Sequence, residues 1–389
     1  MIFRYYMPSK FLFGQGAIAR LHKQALPGKK ALIVISAGTT MRKMGYLDKV
    51  TAELGQAGVS WVVFDKILPN PVLEHVREGA EIALREGCDF ILGLGGGSSI
   101  DSAKAIAVVA GNPGCDLWDF MGGITGKGKT PERILPVVAI TTTAGTGTET
   151  DPWFVITKPE TKEKAGGGFD GTFPVLSIVD TDLMASVPPD FTAYQGFDAL
   201  FHSTECYLNK AANPISDLLS LDAIGHIGAG LERAVKDGGD MEAREKVALA
   251  NTEAGFTQSI SGCISEHAIE HGLSAYAPKL PHGAGLIVIS MAYYKALISK
   301  GACPERFVAM AKALGRADAE APEDFLEALL RLQEACGVSD IRLSGYGIKE
   351  EELPAIAENA YAVMGHMFKA DPVTLEMDDT LAILKESYK

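Results

Sequence analysis

The chain is short of positive charge. Its 36 lysines and arginines face 49 aspartates and glutamates, a formal net charge of −13. With no basic excess to neutralise phosphates, a nucleic-acid-binding role is excluded. Cysteine pairing is missing as well. Cys88, Cys115, Cys206, Cys263, Cys303 and Cys336 are scattered, with no CxxC spacing. That excludes a disulfide frame or a thiolate zinc site and implies reduced thiols in a cytoplasmic protein. Uncharged runs such as Gly283–Tyr294 fall short of the roughly 18 residues that span a bilayer. The opening MIFRYYMPSKFLFGQG is interrupted by Arg4 and Lys10 and does not read as a signal peptide. Internal repeats and low-complexity segments are lacking, and so is the GxGxxG dinucleotide fingerprint. The remaining composition, 47% hydrophobic and 22% charged, is that of a globular protein long enough for about two or three domains.

Glycine, by contrast, is plentiful, with 42 residues, and several stand where strands end. Phe3–Phe13 reads as a strand pair closing at Gly14. Apolar, β-branched runs at 30–36, 60–65, 89–94, 134–140 and 175–179 read as strands. Helical patterns lie between them, to about Ala57, over 72–86 and over 102–110. Strands that are apolar throughout and alternate with helices predict a parallel sheet covered on both faces. Phe154–Thr157, Lys164 and the Gly166-Gly167-Gly168 turn read as a hairpin.

Two loops follow such strands. In Gly95-Gly96-Gly97-Ser98-Ser99-Ile100-Asp101 a buried strand ends, glycines follow and a helix begins. Backbone amides facing outward there suit a phosphate. The plainer alternative is a tight turn with Ser98 or Asp101 as N-cap. Thr141 to Glu149 is a second loop, dense in hydroxyls and glycines. It lies beyond a strand's carboxyl end, where open α/β sheets bind ligands. A polar loop with satisfied turns would read the same way.

Composition changes at Ser186-Val187-Pro188-Pro189-Asp190. Beyond it helical periodicity dominates. We place a domain boundary here, between an α/β domain at 1–187 and an all-helical domain at 188–389. The second region holds Asp198 and His202, four positions apart on one helical face. It also holds Ser261–Gly285, which carries His267, His271 and His282. A local Asp–His hydrogen bond and packed histidines are one reading. One carboxylate with three imidazoles, a nitrogen/oxygen site for a first-row divalent metal, is the other. Asp217 and Asp222 read as surface acids. His22, His75, His226 and His366 have no convergent neighbours in the sequence.

Taken together these motifs resemble the iron-containing (group III) alcohol dehydrogenase family. The chain has GGGSxxDxAK at Gly95–Lys104 and a TTAGTGSE-like loop at Thr142–Glu149, with Thr148 for the serine. It has DALxHxxExY at Asp198–Tyr207 and HxxxH followed by PHG at His267–Gly283. The order and intervals fit from about Met7 to the C-terminus. The resemblance implies a Rossmann-like parallel sheet plus an all-α domain, the dehydroquinate synthase-like architecture, with dinucleotide binding in 1–187, metal binding in 188–389 and the active site in the cleft between them. It implies metal ligands Asp198, His202, His267 and His282, with Fe²⁺ as the metal and Zn²⁺ as the alternative. His271 matches a non-ligand histidine near the nicotinamide, the candidate proton carrier. Gly96, Gly97, Ser98 and Asp101 match the pyrophosphate loop. Thr142, Thr143 and Thr146 match the phosphate and ribose loop, and Asn70, Lys164 and Leu183 lesser cofactor contacts. Trp153 and Phe256 fall where the family lines its substrate pocket, and Phe197 and Phe201 suggest that this pocket is apolar.

The implied reaction is reversible oxidation of a small primary alcohol to an aldehyde, in a cytoplasmic homodimer or larger homo-oligomer. There are departures from the family pattern. His271 to His282 spans eleven positions where many members have ten, and Gly285-Leu286 replaces a frequent Asn-Ala pair. Gly38, with Thr39 beside it, stands where NAD-preferring members often carry Asp. With no carboxylate to repel a 2′-phosphate, NADP(H) is favoured over NAD(H). The alternatives are a zinc polyol (glycerol-type) dehydrogenase, a cyclising lyase of the dehydroquinate synthase type, a non-catalytic dinucleotide sensor and a nucleotide-free metal hydrolase. The hydrolase leaves both loops unexplained, and the lyase needs basic residues for an acidic substrate.

Overall fold

Lys30–Ser36 is strand β2, buried from Ala31 to Ile35 inside a six-stranded sheet. The computed structural model describes residues 2–388. The other strands of the sheet are β1 (Lys10–Phe13), β3 (Ser60–Ile67), β4 (Phe90–Gly95), β5 (Val137–Thr141) and β8 (Leu176–Val179). Their order is β1-β8-β5-β4-β2-β3, and every pairing is parallel. β6 (Trp153–Lys158) and β7 (Glu163–Gly168) form a separate antiparallel hairpin. Helices α1 (Thr40–Lys43), α2 (Tyr46–Gln56), α3 (Leu73–Glu86) and α4 (Gly97–Gly111) are interleaved with the strands. A core of aliphatic side chains, including Ile33, Leu92, Ile140, Ile178, Leu47 and Leu54, fills one face of the sheet.

After β2 the chain runs to β3 on one side, then returns as β4 on the other. The crevice beyond the carboxyl ends of β2 and β4 is therefore a topological switch point, where open α/β sheets take ligands. Gly38 follows one of these strands and Gly96 the other.

Two expectations are corrected. The Phe3–Phe13 strand pair is not formed. Only Lys10–Phe13 is a strand, and it pairs in parallel with β8. Pro8 has no N–H to donate to a ladder, so the segment before it makes a poor hairpin arm. The helix expected from Ser102 begins at Gly97, with Gly96 as its N-cap and no capping side chain. Ser98 and Asp101 therefore lie inside the helix rather than at its cap.

Residues 7–143 and 148–185 make up this sheet unit. A second unit contains the N-terminal residues up to Tyr6, the short stretch Ala144–Gly147 and the chain from Ser186 onward. Its α-helices are α5 (Pro189–Leu208), α6 (Pro214–Lys236), α7 (Met241–Ile260), α8 (Ser265–Tyr276), α9 (His282–Ser299), α10 (Pro304–Ala313), α11 (Glu323–Ala335), α12 (Leu353–Ala370) and α13 (Met377–Ser387). Pro189 and Pro214 sit in the first turns of α5 and α6, where a missing N–H costs nothing. No helix is long and apolar enough to cross a membrane among the described residues.

Candidate active site

Three helices of the helical unit meet at Asp198. It and His202 lie on α5, His267 on α8, and His282 is the first residue of α9. Asp198 Oδ1 is 3.5 Å from His267 Nε2 and from His282 Nε2; it is also 3.5 Å from His202 Nδ1, the nitrogen turned to the Gly145 carbonyl. These are long distances for hydrogen bonds. Donors set around one tetrahedral divalent ion would lie about 3.4 Å apart. Asp198 Oδ1 and His267 Nε2 are buried and make no hydrogen bond among the described residues. Buried polar atoms left in this state point to a ligand. The donor set is one carboxylate with imidazoles, the chemistry that holds iron or zinc, so the residues fit a divalent metal.

Each histidine is oriented from behind. His267 Nδ1 donates to Glu205 on α5, and His282 Nδ1 to Glu270 on α8. Each bond puts a proton on Nδ1 and turns Nε2 toward Asp198. Glu205 also accepts from the Ile264 amide at 2.7 Å, fixing the approach to α8. His202 Nδ1 donates to the Gly145 carbonyl at 3.2 Å, and its ring stacks on His267 at 4.2 Å between centroids.

The Gly145 carbonyl is held by the same helical unit. Ala144 N donates to Gln195, Gly147 N to Asn251, and Gln258 to the Thr146 carbonyl. Gly147 adopts φ +64°, and a Cβ there would meet Gly255 N at 2.5 Å. Only glycine fits this left-handed, close approach. The Ala144–Gly147 stretch thus steers a histidine of the metal set, a role that its Thr/Gly composition does not reveal.

The electrostatics follow from burial. Burial pushes the Asp198 carboxyl up, but the neighbouring imidazoles of His202, His282 and His267 outweigh it and hold it down to about 2. Burial drives His202 down to about 3, with only partial relief from Asp198. Burial also works against the proton on His267, but Glu205 and Asp198 override it and raise that histidine well above the ordinary range. His202 is therefore a neutral imidazole suited to metal binding.

His271 is buried on α8, one turn from His267, with its ring 5.6 Å from that of His282. It groups with Glu270 and His282 and not with Asp198. Cys263, read from sequence only as a scattered thiol, lies beside His202 and His267. Its hydrogen bond to Cys206 and its burial raise it well above the usual thiol range, so it is a neutral thiol. Phe197 and Phe201 do not line an open pocket. Both are fully buried, 5.9 Å apart between ring centroids, and Phe201 packs on Tyr294. A helix hydrophobic on several faces buries them in its own packing. Trp153, at the start of β6, is 43% exposed, and Phe256 on α7 is half-buried.

In the sheet unit the nucleotide candidates gather beyond the carboxyl ends of the strands. Gly38 and Thr39 are exposed after β2, and Asn70 follows β3 in a left-handed conformation. Gly96, Gly97 and Ser98 form the β4–α4 turn. Thr142 N is tied to the Gly95 carbonyl at 3.0 Å, and a Cβ on Gly96 would meet Thr143 at 2.9 Å. Asp101 is engaged on both oxygens, by Thr148 Oγ1 at 2.7 Å and Val155 N at 2.9 Å. Lys164 is buried on β7. The side chain of Leu183 is in the sheet core and 1% exposed. Thr146 lies in the stretch that clusters with the helical unit.

Glu205 and Glu270 are the functional side chains that spacing alone does not reveal. Each stands three positions after a metal-set histidine, yet each serves a histidine of a different helix. Three other residues have partners that the sequence hides. Asp217 is paired with Arg306 at 2.8 Å. His22 lies 2.6 Å from Glu53, and His226 lies between Asp222 and Glu253.

Comparison with known proteins gives one answer across the chain. Residues 8–181 match the family described as iron-containing alcohol dehydrogenase, and residues 192–388 match the C-terminal part of the Fe-containing alcohol dehydrogenase family. The 1,3-propanediol dehydrogenase of Citrobacter freundii is 35% identical over 92% of each chain. The NAD-dependent methanol dehydrogenase of Bacillus methanolicus is 34% identical over 98% of this chain and 99% of its own. The crystal structure of an archaeal halo-thermophilic Red Sea brine pool alcohol dehydrogenase superposes with TM-score 0.94. It is 38% identical and covers 100% of this chain and 99% of its own.

Proposed function

The chain belongs to the iron-containing alcohol dehydrogenase family, and from that premise we propose how its own residues carry the reaction. The activity is that of an alcohol dehydrogenase, and the substrate we propose is a small primary alcohol or its aldehyde. The relatives named for 1,3-propanediol and methanol support that substrate class. The observation that carries the reading is Asp198 Oδ1, buried and 3.5 Å from the Nε2 atoms of His267 and His282.

Asp198, His202, His267 and His282 hold the metal, Fe²⁺ by family or Zn²⁺ by donor chemistry. When bound, the metal supplies Lewis acidity toward the substrate oxygen and the nicotinamide supplies the hydride acceptor. Glu205 and Glu270 keep the Nε2 lone pairs of His267 and His282 aimed and basic. His271 accepts the hydroxyl proton and passes it toward solvent, a task for a histidine outside the ligand set. Trp153 and Phe256 line the substrate pocket.

Gly38, Thr39, Asn70, Gly96, Gly97, Ser98, Thr142, Thr143, Thr146 and Lys164 contact the nucleotide, with His271 near its reactive ring. Asp101 and Leu183 serve that site differently. Asp101 braces the turn through its two hydrogen bonds, and Leu183 contributes only backbone. The nucleotide region is 1–187 and the metal region 188–389, and the enzyme is cytoplasmic and a homodimer or larger. NADP(H) is favoured over NAD(H), because no carboxylate stands at Gly38, although the methanol dehydrogenase relative is named as NAD-dependent. A Cβ on Gly38 would meet nothing nearer than Ser36 Oγ at 3.9 Å, so an aspartate fits there. Gly38→Asp is expected to shift the kcat/KM ratio toward NAD(H) by about tenfold, ~1.4 kcal/mol. An unchanged ratio contradicts this reading of the first loop. The function itself is tested by following nicotinamide reduction against a panel of alcohols with both nucleotides. Turnover of primary alcohols that is lost on chelation and restored by Fe²⁺ or Zn²⁺ is expected, and turnover indifferent to chelation contradicts it.

A further inference from the structure

Among the described residues, one further cluster of ligand-type side chains lies on helices away from α8 and α9. Asp222 and His226 stand one turn apart on α6, and Glu253 faces them from α7. His226 Nδ1 is 3.8 Å from Asp222 Oδ2 and 3.9 Å from Glu253 Oε2. One ligand atom from each residue lies within 4.8 Å of the other two. The three differ in exposure: Asp222 is exposed, His226 half-buried and Glu253 only 7% exposed.

Glu253 is the telling member. Its Oε2 is buried and makes no hydrogen bond among the described residues. No lysine or arginine reaches Glu253 or Asp222 within ion-pair distance among those residues. A buried carboxylate oxygen left in that state is costly. A structural carboxylate at a helix–helix seam would be expected to find an arginine, as Asp217 finds Arg306. Burial, reinforced by the Asp222 carboxylate, pushes the Glu253 carboxyl up to about 8.

We propose that Asp222, His226 and Glu253 form a second divalent-cation site, distinct in its ligands from the Asp198 set and joining α6 to α7. One imidazole with two carboxylates selects a first-row ion of the zinc kind over magnesium or calcium, which prefer all-oxygen shells. The separations of 3.8 and 3.9 Å need to close by only a few tenths of an ångström to reach the about 3.4 Å of a tetrahedral site. His226 Nδ1 now meets the Asp222 carbonyl at 2.9 Å and so carries the proton. Binding moves that proton to Nε2. The site clamps two helices, one of which, α7, also holds the Ala144–Gly147 stretch through Asn251 and Gln258.

The test uses the full chain, stripped by chelator and dialysed against buffered Zn²⁺, with bound metal counted by mass spectrometry. Glu253→Gln and His226→Ala are each expected to hold one ion per chain fewer than wild type, while alcohol oxidation changes less than twofold. Asp222→Asn, at an exposed position that leaves the fold undisturbed, is expected to weaken that ion about tenfold. If Glu253→Gln holds as many ions as wild type, the exposed Asp222/His226 pair binds zinc adventitiously and the proposal is overturned. If Glu253→Gln fails to fold by circular dichroism, Asp222→Asn decides: unaltered affinity for every ion overturns it equally.

Discussion

The two units bury charge in opposite ways. In the sheet unit Lys104, fully buried on α4, donates to Thr148 Oγ1 at 2.7 Å, to the Asp151 carbonyl at 2.8 Å and carboxylate at 3.1 Å, and to the Trp153 carbonyl at 2.7 Å. Nothing on that ammonium is left over. In the helical unit Asp198 and His267 are as deeply buried, yet each keeps an atom that makes no hydrogen bond among the described residues. A satisfied buried charge ties segments together, and an unsatisfied one holds a place for a ligand. Both sit inside motifs of the same family, so the motif alone does not distinguish them.

Substitutions sharpen that contrast. Asp198→Asn is expected to cut kcat/KM on the order of 10³-fold or more, by removing the one carboxylate of the metal set. The metal-free protein should lose less stability than Lys104→Met loses, since no hydrogen bond to Oδ1 goes and only the attraction to the neighbouring imidazoles is removed. An equal loss of metal-free stability in urea would place Asp198 with the structural charges. Lys104→Met should do the reverse. Losing the partner of buried Asp151 is expected to cost about 3 kcal/mol in urea unfolding, with the metal content per folded chain unchanged.

Glu270→Gln and Glu205→Gln come next. Each keeps the shape and weakens the grip on an Nδ1 proton, so metal affinity is expected to fall about 10- to 100-fold. Affinity equal to wild type would show that the glutamates only pack.

The smallest effect concerns Glu253. Its folded carboxyl is raised from 4.5 to about 8 by burial and by Asp222. A raised acid contributes stability that is present below its unfolded value and lost as pH rises through its folded value. In chelator, Glu253→Gln should therefore gain Tm over wild type progressively between pH 4.5 and about 8, and match it below that window. A flat difference across the window would mean that Glu253 is not buried as an acid.

Much of the fold is legible in the chain itself. Buried parallel strands read as unbroken apolar runs, and β2 and β4 declare themselves in Ala31–Ile35 and Phe90–Leu94. β1 does not, because its four residues are half-exposed and owe their form to β8. The Asp198–His202 spacing and the histidine stretch point to the metal set, since a helix repeat carries side chains to one face. The supports are hidden for a physical reason. Glu205 reaches from α5 to His267 and Glu270 from α8 to His282, and a contact between helices leaves no spacing in the sequence. Ala144–Gly147 reads as a nucleotide loop by composition, yet its Gly145 carbonyl orients His202. Phe197 and Phe201 carry an apolar signal that core and pocket share.

The central claim is that the four-position pair His267 and His271 divides its labour, the first holding metal and the second moving a proton. Metal content and turnover of anaerobically purified His271→Ala and His267→Ala test it most directly. His271→Ala is predicted to keep wild-type metal while turnover collapses and its pH dependence changes, and His267→Ala to lose both metal and turnover. Loss of metal from His271→Ala, at the level seen for His267→Ala, would contradict the division.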